Sequence, residues 1–234
     1  MSVTRNEIVF DIFETLRGKI KDDDSIDPRQ IAEFVKDYRA DYLKQRLDRD
    51  PFEIDESTIQ YLGDGTSTVV QVSKVDSSSL SGTNVGKHLM RTTVAIPDTI
   101  TRIGFPGTFT HIGPANKLDY SFTVVSYKTA INSGYGRFNS NEIFAFPYNG
   151  YIYLLSRNDD FKMLQYITIA GVFDDPEAAY MVGKTNYFYT GDENYYTSQY
   201  LKRYIVSTIL KEKFNIIVNQ PEDRKDDATH KLEK

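Results

Sequence analysis

EIFAFPYNGYIYLLS, residues 142–156, reads as one β-hairpin. Two runs rich in aromatic and branched side chains, 142–146 and 151–156, flank Tyr148-Asn149-Gly150, and Asn-Gly supplies the positive φ angles that a tight hairpin turn requires. The register of this pair is therefore well specified. Outward from it, residues 68–75 alternate in strand fashion, residues 89–96 read as a strand stopped by Pro97, and residues 163–172 (MLQYITIAGV) continue the pattern. SSSLSGTNVG at 77–86 is a Ser/Gly-rich loop. Asp174-Asp175-Pro176-Glu177 caps a helix of one to two turns, because Asp accepts orphan backbone N–H bonds and Pro fits the first turn.

The ends are different material. Residues 1–50 carry 22 charges, 10 basic and 12 acidic, whereas residues 57–197 carry the same number over 141 positions and hold 22 of the 31 aromatics. Thr4 and Glu7 have capping-box spacing, and Ile8, Val9, Ile12, Phe13 and Leu16 follow along one helical face until Gly18. Asp27 before Pro28 starts a second helix whose stripe, Ile31, Phe34, Val35, Tyr38, Tyr42 and Leu47, runs to about residue 47. A loop over 21–26 joins the two as a hairpin or elbow. Phe52 and Ile54, beside Pro51, tack the following linker onto the core. Thr197 or Ser198 caps a last helix to about Phe214, with Leu201, Ile205 and Ile209 on one side. Residues 219–234 have nine charged residues among sixteen and one large apolar side chain, Leu232, so they contribute little core.

The expected fold is thus α+β, a β-rich central domain at 51–196 flanked by N-terminal helices at 1–50. A C-terminal helix and its end occupy 197–218, and a polar arm, expected to be disordered in isolation, occupies 219–234. The 234 residues suffice for one generous domain, burying roughly 70–75% of the unfolded surface. There is no Cys, which excludes disulfides, zinc fingers, iron–sulfur clusters and a thiol nucleophile. Lys and Arg number 28 against 33 Asp and Glu, for a net charge of −5, which argues against binding by phosphate neutralisation. No run of about 18 apolar residues could span a bilayer as a helix. The N-terminus lacks a basic, apolar and small-residue signal pattern, so the chain reads as mature and unsecreted.

Chemistry-bearing patterns are weak. Gly183-Lys184-Thr185 has the ending of a phosphate loop, but Ala178 stands where the first glycine belongs and a helix precedes it, so a turn is the better reading. Asp22-Asp23-Asp24 with Asp27 lacks the central Gly and terminal Glu of a calcium loop and reads as a solvated loop entering a helix cap. Gly63-Asp64-Gly65 reads as a turn. His88 opens a strand, His111 neighbours turn residues, and His230 lies in the tail; none has a partner in sequence. No catalytic residue, cofactor or metal is expected. Seventeen tyrosines are the unusual feature. Tyr is favoured at interfaces because it buries area at little entropic cost and keeps a polar tip. The dense loop YFYTGDENYY at 187–196 makes Tyr187, Phe188, Tyr189, Tyr195 and Tyr196 interface candidates.

SGYGRF at 133–138, NGYIYLLS at 149–156 and ITIAGVFDDPEAA at 167–179 resemble ring or adaptor proteins of bacteriophage head–tail connectors, most closely those of crAss-like Bacteroidetes podoviruses. TRNEIVFDIFETLRGKI at 4–20, and an ending in which a helix runs into NQPEDRKDDA at 219–228, are similar to the same group. The resemblance implies a non-enzymatic virion subunit, synthesised in the host cytoplasm. Such a subunit assembles with itself, commonly as a twelvefold ring, below the portal protein and beside other tail or ring proteins. DNA passes through its channel without sequence-specific binding, and no membrane is involved. Ring contacts are heterologous, so each subunit needs two different complementary patches. The arm, with Asn219, Pro221, Asp226 and Asp227, is a candidate for ordering on a neighbour. From the residues alone, a β-rich carbohydrate- or receptor-binding module using exposed tyrosines is the alternative.

Overall fold

The computed structural model describes residues 3–17, 27–50, 54–62, 69–76, 80, 87–101, 107–117, 119–133, 141–184 and 188–215. The helix-joining loop at 21–26, the 63–65 turn, all of the 77–86 loop except Leu80, Phe52 and the 219–234 arm lie outside those residues. The elements in chain order are α1 (Arg5–Arg17), α2 (Pro28–Arg49), β1 (Gln60–Tyr61), β2 (Val69–Lys74), β3 (His88–Thr92), β4 (Phe109–Pro114) and β5 (Thr123–Val124). Then follow α3 (Tyr127–Asn132), β6 (Phe144–Tyr148), β7 (Tyr151–Ser156), β8 (Tyr166–Gly171), α4 (Pro176–Met181) and α5 (Gln199–Phe214). This is an α+β chain with a β-rich core.

The hairpin forms as its turn chemistry dictates. Tyr148 pairs with Tyr151, and Asn149 and Gly150 take φ of 49° and 74°. Pairing then extends through β3 and β2 to β8, while β5 adds to β6 in parallel. β8 is flanked by β4 along one edge and by β2 and then β1 along the other, all antiparallel. The sheet curls until its two margins meet, where the Phe122 N–H ahead of β5 donates to Ile112 O of β4 at 2.6 Å.

Strand alternation sorts the side chains onto two faces. Val70, Val72, Met90, Ile152, Leu154, Ile167 and Ile169 share one core cluster, and Leu89, Phe144, Phe146, Tyr153 and Leu155 form another with Ala130 of α3 and Leu80. A one-residue slip of β7 would exchange these sets, so burial on both faces reinforces the register that the turn selects.

The helices form a third cluster. Ile8, Ile12 and Leu16 of α1 meet Ile31, Val35, Leu43 and Leu47 of α2 and Leu201, Ile205 and Ile209 of α5, with Ile54 packed against them. Each such burial contributes about 1.5–3 kcal/mol before conformational entropy is counted. The caps are those expected from sequence. Asp27 Oδ1 accepts the Arg29 N–H at 2.9 Å, Asp175 Oδ1 accepts those of Glu177 and Ala178 at 3.0 and 3.1 Å, and Ser198 Oγ accepts that of Leu201 at 3.2 Å. At α1 only half of the capping box forms. Thr4 Oγ1 accepts the Glu7 N–H at 3.1 Å, while the Glu7 carboxylate turns to Lys202 of α5.

Several boundaries move. The strand expected over 89–96 ends at Thr92, because the chain then leaves the ladder and Ile96 instead donates its N–H to Gly150 O at 2.7 Å. The strand expected from residue 163 starts at Tyr166; Asp159–Met163 is a 3₁₀ turn capped by Asn158. His111 stands inside β4 rather than beside a turn, opposite Ala170. Gly183 does lie in a turn, at φ 75°.

Candidate assembly surface

No catalytic arrangement emerges among the described residues. No group of three or more His, Asp or Glu is placed to hold a metal ion there. His88 Nε2 lies 3.1 Å from Asp159 Oδ1, and His111 Nδ1 lies 2.7 Å from Ser121 Oγ. A cleft of about 180 Å³ beside the hairpin turn is lined by Pro97, Thr99, Tyr148, Gly150 and Tyr151, and its carboxylate, Asp98, is exposed.

One electrostatic assembly joins the helices to α4 and to the loop before α5. Arg5 makes two bonds to Glu177, at 2.7 and 2.8 Å, and Lys36 meets Asp175 at 2.6 Å. Arg39 of α2 is wholly buried; it donates to Phe173 O at 2.9 Å and Tyr196 O at 3.2 Å. Burial lowers its guanidinium from the usual range, against the pull of Tyr195, Asp174 and Asp175. Burial also pushes Glu177 up, with Arg5 opposing, and pushes the phenols of Tyr189 and Tyr195 up. Lys36 is raised by its bond to Asp175.

This anchoring divides the aromatic loop. Tyr195 and Tyr196 are buried within the chain, Tyr196 at φ 47°. Tyr189 is half-buried, edge-on to Tyr180 at 5.7 Å and 5.2 Å from the Arg5 guanidinium. Phe188 is 84% exposed. Asn6 of α1 steadies the loop through Asp192 at 2.8 Å and Thr190 O at 3.2 Å, and the Tyr195 N–H donates to Val3 O at 2.8 Å. Tyr187, Asn219, Pro221, Asp226 and Asp227 lie outside the described residues.

Other exposed apolar side chains escaped the sequence reading. Tyr61, Val69 and Tyr166 project from β1, β2 and β8 on one side of the sheet, where Gln71 pairs with Tyr166. Phe10 (60%) and Tyr200 (69%) project from α1 and α5. A signal exists. Phe10 falls off the Ile8, Ile12, Leu16 stripe, Tyr200 falls off the Leu201, Ile205, Ile209 stripe, and Val69 shares its strand phase with Gln71 and Ser73. Scattered single apolar residues are ordinary on a surface, but a grouped set is an interface signal.

No helix among the described residues is long and apolar enough to cross a membrane. Residues 7–232 match the family described as phage tail ring protein 2 of crAss-like phages. No curated protein matches the chain. With nearly its whole length matched, the chain belongs to that family of tail ring proteins, a structural component of the phage.

Proposed function

We propose that this member of the phage tail ring protein 2 family is a non-enzymatic subunit of the head–tail connector, twelve copies of which close a ring below the portal around the DNA channel. Its partners are its own copies, the portal protein and the neighbouring ring or tail proteins, and its place is the virion. The observation that carries the reading is the family match over residues 7–232.

The surface supports it. A ring contact is heterologous and needs two unlike patches on each subunit. The sheet side with Tyr61, Val69 and Tyr166 is one; the loop carrying Tyr187, Phe188 and Tyr189, held at the start of α1 by Asn6, is the other. Tyr195 and Tyr196 act from within, by holding that loop. The arm with Asn219, Pro221, Asp226 and Asp227 orders on a neighbouring subunit, and the net charge of −5 suits a channel that does not grip passing DNA.

Native mass spectrometry of the full chain, alone and with portal and tail proteins, together with electron microscopy of assembled particles, tests the proposal. A twelvefold ring below the portal is expected. A strictly monomeric chain that joins neither partner overturns it.

A further inference from the structure

We propose that His111 is an acid-sensitive pin on the seam where the curled sheet closes, so that a proton taken up by this ring frees the 119–124 segment from β4. Neighbouring strands elsewhere in the sheet share ladders of paired residues. At the seam, the described residues contribute one backbone bond, from the Phe122 N–H to Ile112 O at 2.6 Å, and one side-chain bond, between His111 Nδ1 and Ser121 Oγ at 2.7 Å. The two bonds come from adjacent residues on each side, so they are made and lost together.

The seat of the ring is built for a neutral imidazole. Gly113 follows two residues later on the same face, and the imidazole occupies the space over it. A Cβ there would stand 2.9 Å from the ring's Cε1 and Nε2 and 2.2 Å from Tyr120 O. Nε2 has no accessible surface and no hydrogen-bond partner. In the tautomer that suits this seat, Nδ1–H donates to Ser121 and Nε2 keeps a lone pair. Protonation adds a second N–H where no acceptor is bonded, and an unmet buried charge is costly.

Among the described residues, the packed elements bring no compensating charge. Across β8 the facing residue is Ala170, with Tyr61 beyond it. The returning segment carries Lys117, Asp119 and Tyr120, all exposed and none bonded to the ring. Burial accordingly holds His111 below its ordinary value of 6.5. Because the folded ring prefers the neutral form, its contribution is complete above about 6.5 and is lost as pH falls from there toward the lower folded value.

Hydrogen exchange of the full chain at pH 7.5 and 5.5, corrected for intrinsic rates, reads the seam. Peptides spanning 109–115 and 119–124 are expected to lose protection, by up to about tenfold per pH unit below 6.5, while the 144–156 hairpin holds. His111→Asn, which donates to Ser121 without titrating, should abolish the difference. If that variant fails to fold, an NMR titration of the wild-type ring decides. A midpoint at or above 6.5, or equal seam protection at both pH values, overturns the proposal.

Discussion

The Arg39 guanidinium stands 5.7 Å from the centre of the Tyr195 ring, and both side chains are closed to solvent. One residue of α2 thereby holds the segment between β8 and α4, through Phe173 O, and the entry to α5, through Tyr196 O. Arg39→Met is expected to cost about 3 kcal/mol, since it leaves two buried carbonyls unpaired. Arg39→Lys, which cannot span both, should cost about 1–2 kcal/mol. Urea denaturation measures both; a loss below about 1 kcal/mol for Arg39→Met would refute the interlock.

Gly150 tests the hairpin. At φ 74° it sits in left-handed backbone, and a Cβ there meets nothing within 4 Å. Gly150→Ala should therefore cost about 1–2 kcal/mol from backbone strain alone, and Asn149→Gly should stay within about 0.5 kcal/mol of the parent. Equal and negligible effects would mean that the turn is not what holds the register.

The Tyr38 hydroxyl donates to Glu212 at 2.6 Å, and this bond, with burial, pushes the phenol up to about 12. The folded state favours the neutral phenol, so the contribution is present below about 10 and is lost as pH rises toward 12. Ultraviolet titration should show one tyrosine that moves down in Glu212→Gln. An unchanged titration curve contradicts the assignment.

Arg5 and Glu177 are unequal partners. Burial already raises Glu177, so its charged form is tolerated chiefly because Arg5 is there. Arg5→Met should cost about 2 kcal/mol at pH 7, and adding Glu177→Gln should recover most of it. Glu177 favours its protonated form when folded, so the gap between single and double variants should open as pH rises above about 4.5. Thermal melts at pH 4 and 7 check this; a gap of equal size at both values counts against it.

Phe188 separates assembly from folding. At 84% exposure, Phe188→Ser should change stability by less than about 0.5 kcal/mol. Ring formation or incorporation into particles should fall. If the variant assembles as the parent does, Phe188 lies outside the interface.

Much of the fold is legible locally. Asp27-Pro28, Asp175-Pro176 and Ser198 mark helix starts because capping is an interaction between neighbours in sequence, and Asn149-Gly150 marks its turn for the same reason. β1 and β5 are two residues each, too short for any alternation, and exist only because β8 and β6 accept them as partners. β4 carries Gly113 and Pro114, which argue against a strand until Tyr120 and His111 are seen to use the missing side chain. Exposure was partly readable too: Phe10 and Tyr200 stand off their stripes. The burial of Tyr195 was not, because nothing near it in sequence points to Arg39, 156 positions away.

Sequence by itself determined the elements with short-range causes: capped helices with one apolar face, a hairpin with a specified turn, and the absence of thiol chemistry. Tertiary structure alone decided how the sheet curls onto itself, which aromatic residues are buried inside the chain and which are left exposed, and where a histidine meets a seam. The reason is physical. Caps and turns satisfy backbone groups within a few residues, whereas burial and the seating of a charge depend on surfaces brought together from distant parts of the chain.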